Sequence, residues 1–338
     1  MDVAVGVDAH KASLAVAVVD LVGTILGIRE FANDPKGHRA LRRWVTRWCG
    51  SKVIGIEGSG SYGAGLCRLL IAEGEDVREV PANLTFVERK RRPSGGKSDP
   101  SDAVAIARIV LREAELPRAV KLLSAVELKA LVDHRDQLIQ ARTQHINRIH
   151  KRLVTIHPGY QDRIPKLTTR KGLTGALNMM RGDHGVLAEL VRFEVGEVRR
   201  LDRLVSETDD KVSALSGASL TSLSGCGELT AAKILGEVGD PRRLRSKAAF
   251  AMLNASAPVP ASSGQTNRYR LNRGGNRQLN RALYTIAITR MRTDADTRAY
   301  VQRKRAEGNS NKDVMRCLKR CISDLIYRQL QSDLHRLI

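Results

Sequence analysis

The chain has 338 residues, enough for two or more domains with cores of their own, and its 57 Lys and Arg against 36 Asp and Glu give a formal net charge of +21. That excess points to a polyanionic partner, nucleic acid first, because Lys and Arg that replace counterions on phosphate gain affinity at low salt. It leaves little room for a membrane protein, a secreted protein or a zinc-knuckle protein: no apolar run approaches the roughly 18 residues of a span, Asp2, Asp8 and His10 interrupt the place of a secretory signal, and Cys49, Cys67, Cys226, Cys317 and Cys321 show no CxxC spacing.

Aromatic residues make up only 4%, which argues against recognition by base-stacking sheets. Free thiols in a reducing compartment fit the cysteines better than disulfides, so a cytoplasmic, nucleoid-associated protein is expected.

In chain order, Val3 to Asp8, Leu14 to Val19 and Thr24 to Phe31 are short apolar runs separated by turn residues, and they read as an antiparallel meander of buried strands. A helical pattern follows from Pro35 to Trp48, then a buried strand from Lys52 that ends in the lone carboxylate Glu57. A helix over Gly63 to Ala72 and a strand over Val77 to Val80 complete a β-β-β-α-β-α-β order. The run Glu88-Arg89-Lys90-Arg91-Arg92 and then Lys97 lead into Asp99 and Asp102, where a glycine-containing loop gives way to the apolar-periodic run Val104 to Leu111.

Residues three apart share a helix face, and two carboxylates held together repel unless a cation lies between them. Asp99 and Asp102 are therefore either caps at a helix entrance or half of an acid cluster whose other members are Asp8 and Glu57. Adjacent strand ends bring Asp8 and Glu57 close, and the helix brings Asp99 and Asp102 over them, which is the layout of ribonuclease-H-like nucleases. Four acids suit phosphoryl transfer, in which two divalent ions about 4 Å apart hold the attacking and leaving oxygens in line. Oxygen-rich coordination selects Mg²⁺, with Mn²⁺ as the alternative. His10 and Lys11 either contact the scissile phosphate or begin the next turn, and the basic run 88–92 is either a solvated face or a backbone-binding approach to the acids.

Beyond the acids the pattern turns helical. Ser124 to Ile156 is one long amphipathic run stopped by Pro158, and a short helix is expected around Leu173 to Met180. From Val186 to Leu215, Val191, Val198, Val205 and Val212 repeat every seven residues with Leu187, Leu201 and Leu215 interleaved, a coiled-coil signature broken by Glu194 and Thr208. An intramolecular hairpin and a dimer contact are both open readings of it. Ser224-Gly225-Cys226-Gly227 then opens a helix in the manner of helix-hairpin-helix elements, whose amides grip phosphate. After Ser262-Ser263-Gly264 come Arg268, Arg270, Arg273 and Arg277, and a helix through Ala287; two basic amphipathic helices, Asp294 to Glu307 and Asn311 to Leu330, end the chain.

Taken together and in this order, Gly6-Val7-Asp8-Ala9-His10-Lys11, Ile56-Glu57-Gly58, Lys97-Ser98-Asp99-Pro100-Ser101-Asp102-Ala103, the Ser224 to Gly227 hairpin and the block from Ser262 to Asn276 resemble the DEDD transposases of the insertion-sequence-110 type, the bridge-RNA-guided recombinases. The resemblance covers nearly the whole chain. It implies an α/β plus α architecture: a RuvC-like domain over 1–120, a coiled-coil dimerisation region over 121–217 and a mostly helical transposase domain over 218–338. It implies Mg²⁺ held by Asp8, Glu57, Asp99 and Asp102, and a nucleophilic serine at Ser263 or its neighbour Ser262. The implied partners are donor and target DNA, a structured bridge RNA and further copies of the chain in a dimer or tetramer. Contacts to nucleic acid are expected from Lys11, Arg89, Lys90, Arg91, Arg92, Lys97, Arg268, Arg270, Arg273 and Arg277. Where the family has Gly-Leu before the proline that precedes the serine, this chain has Asn254-Ala255-Ser256-Ala257-Pro258. Two other readings compete: a metal-dependent nuclease of the junction-resolvase kind with water as the attacker, and a nucleic-acid-binding scaffold whose acids are caps.

Overall fold

The computed structural model describes residues 2–90, 99–113, 115–119, 123–216, 219–260 and 269–336. They fall into two compact units, Met1–Lys121 and Leu122–Ile338.

The first unit is built on a five-stranded sheet. Strands β1 (Val3–Ala9), β2 (Ser13–Asp20) and β3 (Ile25–Ala32) form the antiparallel meander, and β4 (Lys52–Glu57) and β5 (Asp76–Glu79) add in parallel on the far side of β1, giving the order β3-β2-β1-β4-β5. This is the RuvC-like, ribonuclease-H-like arrangement. Alternation along the strands splits the sheet into two unlike faces. Val3, Val5, Val7, Leu14, Val16 and Ile56 point to one side, where α1 (Pro35–Val45) contributes Leu41 and Trp44 and α2 (Ala64–Ala72) contributes Leu66 and Leu70. Asp34 caps α1, accepting from the Gly37 amide at 2.7 Å.

The opposite face is mostly of small residues, Ala4, Gly6, Ala15, Ala17 and Gly55, with Val19 and Val53 at its edge. Helix α4 (Asp99–Arg112) lies directly on it, with Ala103 and Val104 against Ala15 and Ala17 and with Ile106 and Val110 in the cluster with Ala4. Gly6 and Gly55 are register partners on β1 and β4. A Cβ on Gly6 would stand 2.1 Å from the Ala103 carbonyl oxygen, and one on Gly55 would stand 2.4 Å from Val110 Cγ2. The helix approaches so closely because those positions carry no side chain. Gly55→Ala should therefore cost about 2 kcal/mol by overpacking, seen as a lower urea midpoint. Helix α3 (Ala82–Lys90), not expected from the sequence, which marks only the charge run beginning at Glu88, precedes α4 and is tied to it by Arg112 Nη1, 2.6 Å from Glu88 Oε2.

The second unit is helical. α5 (Leu123–Ile156) and α7 (Val186–Leu215) run antiparallel, as the cross-pairs Arg135 with Asp209, Arg142 with Asp202 and Arg152 with Glu194 show by their opposite order along the two helices. The heptad seam is thus used within the chain. Val191, Val198, Leu201 and Val212 are buried, whereas Leu187 and Leu215, expected on the seam, are 41% and 40% exposed. Glu194 and Thr208 do not break it. Both are buried, Thr208 returning its hydroxyl to the Leu204 carbonyl at 2.7 Å and Glu194 bound by His145 and by Arg152 Nη1. A short helix, α6 (Arg170–Met179), closes one part of the pair, Leu173, Ala176 and the following Met180 meeting Ile149, Leu153 and Val191.

The rest of the unit comprises α8 (Glu228–Val238), α9 (Lys247–Leu253), a two-stranded ribbon of β6 (Pro258–Pro260) and β7 (Tyr269–Leu271), α10 (Arg277–Thr293), α11 (Ala295–Ala306) and α12 (Asn311–Arg336). Phe250, Leu279, Leu283, Ile286, Leu318 and Ile322 are at its core. Before α8, the described residues give a single 3₁₀ turn, Leu220–Ser222, rather than a full helix ahead of the hairpin. There Gly225 takes φ 79° and the Cys226 amide returns to the Leu223 carbonyl at 2.9 Å.

Candidate metal centre

The parallel pairing of β1 with β4 sets Asp8 opposite Glu57 at the carboxyl ends of two adjacent strands, the position at which α/β sheets place ligands. Asp8 follows Gly6 by two residues, so its side chain leaves the sheet on the α4 face. Because α4 is seated on Gly6, its first turn hangs over the strand ends and carries both Asp99 and the buried Asp102.

Asp8, His10 and Asp99 each offer a ligand atom, all within 4.8 Å of one another. His10 Nε2 lies 3.2 Å from Asp8 Oδ2 and 3.4 Å from Asp99 Oδ1, an imidazole between two carboxylates. Burial lifts the Asp8 carboxyl above its ordinary value; His10 opposes the rise, and the charges of Glu57, Asp102 and Asp99 add to it. All four acids thus share one electrostatic neighbourhood whose repulsion an added cation would relieve. Carboxylate oxygens with one imidazole nitrogen are donors that fit a hard divalent ion such as Mg²⁺ or Mn²⁺.

The main chain of His10 is fixed on both sides. The tight β1–β2 turn returns the His10 amide to the Ser13 carbonyl at 2.9 Å, and Asn33 Nδ2 donates to the His10 carbonyl at 2.7 Å and to the Tyr62 carbonyl at 2.9 Å. Asn33 Oδ1 is itself 2.7 Å from His38 Nε2. The sequence alone offers His10 as a phosphate contact or a turn residue and gives no sign of Asn33, which looks like part of an Asn-Asp-Pro helix start. Asn33→Ala should raise the Mg²⁺ concentration needed for half-maximal thermal stabilisation by less than the ~10-fold of losing a direct partner to a ligand, because the bond removed is to the His10 carbonyl and not to its ring.

Of the other expected site residues, Lys11 is exposed at the tip of the β1–β2 turn, and Arg89 and Lys90 end α3. Arg91, Arg92, Lys97, Ser262, Ser263 and Arg268 lie outside the described residues. Arg270 on β7, Arg273 in the following turn and Arg277 at the start of α10 are exposed in the second unit.

A RuvC-like sheet with acids gathered at its strand ends, followed by a helical unit, defines a class of enzymes that process nucleic acid. Comparison with known proteins narrows it. A family model of the DEDD type for IS110, described as "Transposase", matches residues 5–158, and a second, described as "Transposase IS116/IS110/IS902 family", matches residues 217–302. The 44.8 kDa protein of insertion element IS116 from Streptomyces clavuligerus is 26% identical over 97% of this chain and 94% of that protein. The 42 kDa protein of IS900 from Mycobacterium paratuberculosis is also 26% identical, over 96% and 95%. Among solved structures, Thermus thermophilus RuvC in complex with a Holliday junction substrate is 15% identical with a TM-score of 0.25, over 32% of this chain and 90% of that one. That likeness is remote, and the strand order and register carry the fold assignment. The chain belongs to the IS110 family of transposases, and is therefore an enzyme that acts on DNA. Among the described residues no helix is long and apolar enough to cross a membrane.

Proposed function

We propose that the chain cuts, exchanges and rejoins strands of donor and target DNA, with Asp8, Glu57, Asp99 and Asp102 holding Mg²⁺ and Ser263 as the nucleophile. The observation that supports this most is the meeting of Asp8 and Asp99 around one small volume, with Glu57 in register beside Asp8. A divalent cation held by these carboxylates would supply Lewis-acid neutralisation of charge on the scissile phosphate. The carboxylates fix where that phosphate lies, and His10 orients Asp8 and Asp99. Ser263 Oγ forms a bond to phosphorus as the bond to the leaving deoxyribose oxygen breaks, and the hydroxyl proton ends on that oxygen. The phosphoserine link keeps the phosphodiester energy, so rejoining is the reverse step at the same residue.

Family membership and the +21 charge support a bridge RNA as guide and a homo-oligomer as the working form; sequencing of copurifying RNA tests the first and light scattering the second. The helix-hairpin-helix-like turn at Ser224 to Gly227 belongs to the same reading, as a phosphate contact. The chemistry is tested on a denaturing gel. Wild type should form a protein–DNA adduct and Ser263→Ala should form none; cleavage retained in full by both Ser263→Ala and Ser262→Ala would establish water as the attacker instead.

A further inference from the structure

In the second unit a cavity of about 440 Å³ opens between the β6–β7 ribbon and helices α11 and α12. That volume is in the range of small-molecule sites, ~300–1,000 Å³, and far too small for a duplex. Its walls join tyrosines, Tyr269 and Tyr300, to cations: Arg270, Lys304, Arg316, Lys319 and Arg320, against the single carboxylate of Asp313.

Three of these cations are already engaged, Lys304 by Glu307, Arg316 by Asp313 and Arg320 by Asp324. Lys319 and Arg270 have no carboxylate partner among the described residues. Lys319 is half-buried, and burial with the nearby Arg316 makes its charged form costlier. It is also held in place. Its ammonium donates to Asn280 Oδ1 at 2.8 Å, Asn280 donates to the Asn254 carbonyl at 2.8 Å, and the fully buried Asn254 donates to Ser323 Oγ at 2.8 Å.

Two further observations mark the same wall. Ala255 adopts φ 59°, a left-handed conformation that costs a non-glycine residue energy and clusters at functional sites. The next residue, Ser256, has a buried hydroxyl with no hydrogen-bond partner among the described residues, which is uncommon without a ligand or water to satisfy it.

We propose that this cavity receives one nucleotide of a single-stranded nucleic acid, its phosphate toward Lys319 and Arg270 and its base against the tyrosine wall. The proposal deepens the reading of the chain as a nucleic-acid enzyme and is independent of the acid cluster. Stacking on aromatic rings with a cation on the backbone is how single strands are gripped without sequence preference.

Two cysteines of the wall, Cys317 and Cys321, report on occupancy, with the exposed Cys49 of the first unit as an internal reference. Full-length wild-type protein in EDTA is alkylated with and without saturating oligothymidylate, oligouridylate or a duplex of equal length, binding being followed by fluorescence anisotropy. The expected result is slower alkylation of Cys317 and Cys321, by about fivefold or more given that thiol reactivity follows access, with Cys49 unchanged. Protection by the deoxy or the ribo strand supports the proposal and assigns the strand. Equal protection by duplex, or none by a single strand that anisotropy shows to be bound, overturns it. Lys319→Gln, which keeps a donor for Asn280, should lower the salt slope of single-strand binding by about 0.7, one phosphate contact; an unchanged slope in a folded variant also overturns it. Because no cleavage is read, failure here leaves the strand-transfer chemistry standing, and the absence of adducts would leave the cavity standing.

Discussion

Replacing Asp8 by Asn is expected to raise the melting temperature of the metal-free protein and at the same time to cut strand cleavage on the order of 10³-fold. Asp8 is buried at the end of the central strand, and burial together with three neighbouring acids disfavours its charged form. A carboxyl whose folded value lies above its unfolded 3.8 subtracts stability once the pH exceeds that unfolded value. At neutral pH the neutral amide removes that penalty. Wild type should recover the loss on binding Mg²⁺, since a ligand that binds only the folded state stabilises it by mass action, whereas Asp8→Asn should gain little. Metal contributes several kcal/mol to phosphoryl transfer, so cleavage should fall on the order of 10³-fold. Calorimetry with and without Mg²⁺, beside a cleavage assay, reads both halves. An Asp8→Asn protein less stable than wild type without metal, yet still active, would remove the acid cluster from the mechanism.

The largest stability effect is expected at Glu194, buried between α5 and α7. Burial alone would raise its carboxyl, but hydrogen bonds from His145 and Arg152, with their charges, hold it below its ordinary value. Glu194→Gln leaves Arg152 facing an amide in a buried seam, with Arg148 3.8 Å from the lost charge. Removing one partner of a buried ion pair costs about 3 kcal/mol or more. The sign with pH is fixed by the direction of the shift. A depressed carboxyl stabilises the fold above its unfolded value of 4.5 and loses that contribution as the pH falls through the lower folded value. The gap between wild type and variant in urea unfolding should therefore be full at pH 7 and shrink below about pH 4.5. A gap independent of pH would assign the loss to packing instead of charge.

That seam also shows what could be read from the sequence and what could not. The seven-residue spacing of Val191, Val198, Val205 and Val212 announces a packed helix face. Spacing is blind to whether the facing helix belongs to the same chain, and blind to the fact that Glu194 is matched by cations from α5, some forty to fifty residues earlier. The strands and first helices were legible because alternation and turn residues are local, and so was the meeting of Asp8 with Glu57, which follows from two parallel strands that each end in an acid. Helix α9 was not, being only seven residues long, nor was β6, which begins and ends in proline. His10 as a bridge to Asp99 depends on where α4 settles, and no spacing rule carries that across some ninety residues. The nucleophile reading at Ser263 rests on motif order alone, since that residue lies outside the described part of the structure.

Gly6 and Gly55 bear nothing that touches DNA or a cation, yet the seat they leave for α4 decides whether Asp99 and Asp102 reach the strand ends at all. A collection of inactive alleles should accordingly be as rich at these two glycines as at the acids. Such alleles would retain every carboxylate, and biochemically they would be mistaken for substitutions of the acids themselves.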